Sequence, residues 1–166
     1  MGFHFRKAGI SDSKALRKLA MISYGQFEEV LSEQNWSILE KNLKSKDSYM
    51  DILKIAICFV CEFEGKIIGV AYLVPSGNPT EIFDTHWSYI RMVGVDPSFR
   101  GNGIARKLTE MCIAYAKQSK EEIIALHTSE FMDAARHLYE SLGFKVIKEL
   151  DPIFGKRYWL YQLKLA

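Results

Sequence analysis

The residues whose types and spacing most clearly suggest chemistry are Arg100-Gly101-Asn102-Gly103-Ile104-Ala105. They follow a strand-like run, Ser88 to Val95, and a polar turn at Asp96-Pro97. They open an amphipathic stretch with Ile104, Leu108, Met111, Cys112 and Tyr115 on one stripe, as a helix requires. A helix start presents backbone N–H groups without intrahelical acceptors and a partial positive charge. Glycines let such a backbone approach a bulky anion and adopt dihedrals that other residues avoid. Arg100 adds a formal charge, so the segment suits a phosphate or pyrophosphate. A dinucleotide fingerprint would need a small residue where Arg106 stands, and a Walker loop would need Gly-Lys-Ser/Thr. Both are absent, and two glycines alone also fit a plain tight turn.

Other reactive residue types are less ordered. Cys58-Phe59-Val60-Cys61 has metal or redox spacing, but it lies in an apolar strand-like run from Ile55 to Glu62. Residues three apart on a strand point to opposite faces, so the pair reads as structural thiols, and no metal is expected. Glu62, Glu81, Asp84, His86 and His127 are the candidates for a general base, and nothing in their spacing selects one.

The elements that must position these residues follow from periodicity and turn chemistry. Phe3 to Lys7 reads as a strand. A helix capped at Ser11 or Asp12 follows, with Ala15, Leu16, Leu19 and Ala20 inward, and a second spans Gln34 to Leu43. Ile55–Glu62 and Lys66–Val74 form a hairpin turning at Glu64-Gly65, and a loop runs from Pro75 to Trp87. After the helix at Gly103 come a strand over Ile123–Thr128, a helix over Met132–Leu142 closed by Gly143, and two strands, Phe144–Leu150 and Arg157–Leu165. This order predicts an α/β (α+β) mixed sheet in one domain, residues 1–166.

Two segments in this order resemble the GNAT superfamily of N-acetyltransferases. Arg100 to Ala105 matches the R/Q-x-x-G-x-G/A signature, and Ala135-Arg136-His137-Leu138-Tyr139-Glu140-Ser141-Leu142-Gly143-Phe144 matches A-x-x-L-Y-x-x-x-G-F. The resemblance implies a mostly antiparallel sheet splayed after the fourth strand, flanked by about four helices, with acetyl-CoA as co-substrate. It implies pantetheine contacts from Met92, Val93, Gly94 and Val95, with Gly94 suited to a bulge that starts the splay. Pyrophosphate contacts map to Arg100, Gly101, Asn102, Gly103, Ile104 and Ala105, with Arg106 and Lys107 near other phosphates. A backbone N–H at Val93 would support an oxyanion, and Tyr139 would protonate the departing sulfur. By periodicity alone Tyr139 is a core aromatic. Many family members carry Asn where this sequence has Met132, and an acidic residue near Tyr89, which this sequence lacks.

The resemblance implies transfer of an acetyl group to a small-molecule or peptide amine. The alternative is a catalytically silent acyl-CoA-binding or sensor module. Tyr24, Phe27, Phe83, Trp87 and Tyr89 are candidates to line the acceptor pocket. Family members often form homodimers through their closing strands, which nominates Arg157–Leu165 with Tyr158, Trp159 and Tyr161. Net charge is +2, from 22 basic and 20 acidic residues, giving no field for nucleic acid or an anionic membrane. No apolar run approaches a membrane span, the first residues lack a signal-peptide core, and free thiols suit a reducing cytosol, so a cytoplasmic protein is expected.

Overall fold

Alternation along the strands and stripes along the helices produce one seven-stranded sheet with helices on both faces in a computed structural model, which describes residues 2–165. The chain runs β1 (His4–Ala8), α1 (Ser13–Tyr24), α2 (Glu33–Lys44), α3 (Lys46–Ile55), β2 (Ile57–Phe63), β3 (Lys66–Val74) and β4 (Ser88–Val95). It continues with α4 (Ile104–Gln118), β5 (Ile123–Ser129), α5 (Asp133–Ser141), β6 (Lys145–Ile153) and β7 (Lys156–Lys164). Strand order is β1-β2-β3-β4-β5-β7-β6, and every neighbouring pair is antiparallel except β4 and β5.

The sheet separates two cores. Ile68, Ile90, Leu126 and Tyr161 pack on one face with α4 and α5, through Ile104, Leu108, Cys112 and Tyr139. Val60, Val70 and Tyr72 pack on the other face with α1, α2 and α3, through Leu16, Leu19, Trp36, Leu43, Tyr49 and Ile52. Cys58 belongs to this second core and Cys61 to the first, so the two thiols do point apart, and all three cysteines are free and buried. Among the described residues no group of acidic, His and Cys side chains could hold a metal, and no helix is long and apolar enough to cross a membrane.

Four expectations are corrected. Among the described residues there are five α-helices where about four are expected: α3 occupies a stretch with no assignment from the sequence and takes Ile55 from the expected strand. Ser45 ends α2 and begins α3, its hydroxyl accepting from the Ser48 N–H at 3.3 Å, so no loop separates them. Ala15 is exposed, and Ser23 joins Leu16, Leu19 and Ala20 on the buried face of α1. Finally, β7 lies inside the sheet between β5 and β6, with Tyr158 and Tyr161 buried, so the strand expected to self-associate is covered.

Candidate active site

The parallel pairing of β4 and β5 is brief. Ser88 faces Ile124 and Tyr89 faces Ala125, and the Ser88 hydroxyl donates to the Ile123 carbonyl at 2.7 Å. From Ile90 onward the strands part. β4 stays with β3 as far as Val95 opposite Gly69, and β5 stays with β7. The edge of β4 that faces the gap therefore lacks a strand partner along this length, leaving backbone groups open for an extended ligand. A cleft of about 1110 Å³ fills the gap.

A bulge shapes β4 where the gap opens. Arg91 opposes Tyr72 and Gly94 opposes Val70, so three steps on β4 match two on β3. The extra residue sits at Met92–Val93, with Met92 at φ +54°, a conformation costly for a residue with a Cβ. Gly94, expected to form the bulge, instead pairs regularly. Its smallness serves α1: a Cβ there would meet the Ser23 Oγ at 2.8 Å. The Tyr24 hydroxyl, from the end of α1, donates to the Val93 carbonyl at 3.4 Å.

At the wide end of the gap lies the glycine segment. The Asp96 carboxylate accepts from the Ser98 N–H at 2.9 Å and starts a short turn, Pro97–Phe99. Gly101 (φ +82°) and Gly103 (φ +73°) then take left-handed conformations, and Gly103 caps α4. The first helical bond, Lys107 N–H to the Gly103 carbonyl, is 3.0 Å long, so the preceding N–H groups have no intrahelical acceptor. Arg100, Gly101, Gly103, Ile104 and Ala105 line the cleft, as do Met92 to Val95. Asn102 does not: its amide turns back to donate to the Phe99 carbonyl at 2.8 Å. Arg100 bonds Gln26 at 2.8 Å, Arg106 lines the cleft while bonding Ser141 at 2.7 Å, and Lys107 lies outside it.

Tyr139 reaches the cleft from α5 with 6% of its surface exposed. Its hydroxyl has no hydrogen-bond partner among the described residues, and burial pushes the phenol well above its ordinary range. Met132 begins α5 and lines the cleft, its sulfur 3.6 Å from the Thr128 hydroxyl, so no amide is present there. His127 enters from the opposite face of the sheet. Its ring stacks on Phe83 at 5.8 Å and meets the edge of Tyr158 at 5.4 Å, and burial lowers its pKa. The other base candidates lie elsewhere: Glu62 is held by Arg6, Asp84 sits 2.9 Å from His86 in an exposed loop, and Glu81 is exposed.

The residues expected to line an acceptor pocket divide. Tyr24, Phe27 and Tyr89 line the cleft, whereas Phe83 is buried behind Tyr89, 4.2 Å away in a stack, and Trp87 packs beside it. Sequence reading missed Arg91, Phe131, Phe154 and Tyr158, which also line the cleft. For Arg91 a signal existed: it is the one charged residue within an otherwise uncharged strand.

A model of the Acetyltransferase (GNAT) family matches residues 18–144, most of the chain, including both the cradle and Tyr139. The chain belongs to the GNAT acetyltransferase family. Over 90 residues it is 32% identical to the uncharacterized N-acetyltransferase YjgM of Escherichia coli (strain K12), covering 54% of this chain and 51% of that protein. Over 89 residues it is 36% identical to the N-acetylaspartate synthetase of Xenopus tropicalis, covering 53% and 31% respectively. The chain thus matches between about a third and a half of the length of these curated relatives. The crystal structure of a PaiA N-acetyltransferase from Thermoplasma acidophilum, solved in complex with coenzyme A, superposes with a TM-score of 0.80 over 99% of both chains at 16% identity. That likeness is one of fold.

Proposed function

We propose that residues 1–166 act as one acetyltransferase domain, moving an acetyl group from acetyl-CoA to the amine of an acceptor. The observation that carries this reading is the gap between β4 and β5, which runs from the glycine cradle to Tyr139 and His127. The cradle fits a pyrophosphate: open N–H groups at Gly101, Gly103, Ile104 and Ala105 sit beside the charges of Arg100 and Arg106. Asn102 supports the loop rather than the ligand. The unpaired edge of β4 at Met92, Val93, Gly94 and Val95 fits an extended arm bearing amide groups, bound like an added strand.

When bound, acetyl-CoA supplies a thioester carbonyl that a neutral amine can attack. His127, neutral because burial lowers its pKa, accepts the proton that the amine loses. The Val93 N–H supports negative charge on the carbonyl oxygen. Tyr139, kept protonated by burial, donates a hydrogen bond to the sulfur as charge gathers there and then gives it the proton. By pKa that last transfer runs uphill, since a thiol's reference value is about 8.5, so the hydrogen bond is the larger contribution. One C–N bond forms and one C–S bond breaks; His127 releases its proton to solvent and Tyr139 takes one back from solvent, so the net transfer is of the amine's proton to the thiol. Three free, buried thiols support residence in a reducing cytosol.

Calorimetric titration with acetyl-CoA tests the cradle. Saturable binding is expected, and the Gly103→Glu variant should lose it, because the new carboxylate enters the anion site at a backbone angle only glycine favours. Failure of the parent protein to bind would overturn the proposal.

A further inference from the structure

Arg91 is the one charged side chain of β4. It opposes Tyr72 on β3 and stands two residues from Tyr89, so it shares the face of the sheet that carries His127. Burial raises the Tyr24 and Tyr89 pKa values and lowers that of His127, and the nearby Arg91 charge partly offsets the first two and adds to the third. Arg91 lines the cleft beside the point where β4 and β5 part, yet makes no hydrogen bond or ion pair among the described residues. Of the carboxylates lining the cleft, Asp133 pairs with Arg136 at 3.8 Å, and Asp51 is contributed by α3. Arg91 helps keep the His127 imidazole neutral but opposes the imidazolium formed when it takes the amine proton, and an incoming anion at Arg91 would offset that opposition. The cleft that Arg91 lines carries the apolar side chains of Phe27, Leu39, Ile52, Phe131, Phe154 and Tyr158, along with the polar Asn42 and Ser48. Phe27 and Phe131 meet at 4.8 Å, and Phe131 and Tyr158 at 6.3 Å, forming a continuous aromatic surface.

We propose that the acceptor is a free α-amino acid with an apolar side chain, its carboxylate held by Arg91 and its side chain laid against this aromatic wall. The proposal rests on the acetyl-transfer reading above. An α-amino carboxylate keeps amine and anion one carbon apart, which matches a guanidinium and a base on one face of adjacent strands. The planar fork of Arg91 can take both carboxylate oxygens. Asp51 offers opposite charge for the ammonium before it loses its proton.

The test uses the reaction products, so that binding is read without turnover. With the protein saturated by CoA, the N-acetyl derivatives of leucine, methionine and phenylalanine are titrated by calorimetry alongside their uncharged amides. At least one acid should bind at least about tenfold more tightly than its amide, as a charge-assisted pair predicts. The Arg91→Gln change should bring that ratio near one, and Arg91→Lys should restore part of it, with melting temperatures showing that both variants fold. Equal binding of acid and amide, a preference that survives Arg91→Gln, or no binding by any pair would overturn the proposal. An acetylation panel separates it from the reading beneath: phenethylamine or a peptide N-terminus acetylated faster than every amino acid would remove this acceptor and keep the enzyme. No binding of CoA would remove both.

Discussion

Tyr139 and His127 meet the gap from opposite faces of the sheet, and burial drives both to their neutral forms. For a phenol the neutral form carries a proton to give, and for an imidazole it carries a lone pair to receive one. Because burial lowers the His127 pKa below 6.5, the imidazole is uncharged at neutral pH and becomes protonated only on acidification. The kcat profile should therefore bend downward as pH falls below 6.5. His127→Gln should lose that bend and reduce kcat by about 10²-fold or more. Tyr139→Phe should lower kcat by a similar factor while leaving CoA affinity unchanged. Steady-state thiol release across pH measures all three, and a bend that survives His127→Gln would reassign the base.

The contact between α1 and β4 shows how an element shapes the site without entering the chemistry. Gly94 lets Ser23 sit against the strand, with Ser23 Oγ bonded to the Ala20 carbonyl at 3.3 Å. Gly94→Ala should destabilise the fold by about 1–3 kcal/mol through overpacking. Adding Ser23→Ala should recover much of that loss, because the clash is with the Oγ at 2.8 Å, while the Ser23 Cβ lies at 3.4 Å. Urea unfolding of the two variants tests this, and equal losses would show that the backbone rather than Ser23 is the obstacle. The same pair of elements accounts for the misjudged bulge. A glycine in a strand signals either a bulge or a close approach, and only the register with β3 distinguishes them. Helix α3 escaped notice for a related reason: Ser45 serves two helices at once, so the usual loop signal between them is missing.

At the scale of the molecule, sheet order decides which surfaces are free. β1 and β6 are the outer strands, and β6 is exposed along most of its length, with Val146 at 49% and Ile147 at 51%. An outer strand with apolar side chains invites pairing with another chain. The homodimer is therefore proposed on β6 rather than β7. Light scattering should give twice 19.1 kDa at working concentration, and Val146→Lys with Ile147→Lys should restore 19.1 kDa. A parent protein that is monomeric throughout would dismiss the dimer.

The sequence by itself determined the glycine turn and helix start at Arg100 to Ala105, the strand and helix order after Lys66, and the opposed faces of Cys58 and Cys61. These depend on dihedral preference, capping and periodicity, which are properties of neighbouring residues. It also marked Tyr139, through a motif and not through its helical stripe, which reads equally as core. Only the tertiary structure brought His127, alone of the five base candidates, to the cleft together with Arg91 and Phe131, left Phe83, Trp87 and Asn102 outside it, and covered β7. Each of those outcomes depends on where β4 leaves β5 and on which strand lies outermost. Strand pairing joins residues far apart in the chain, and no local spacing encodes it.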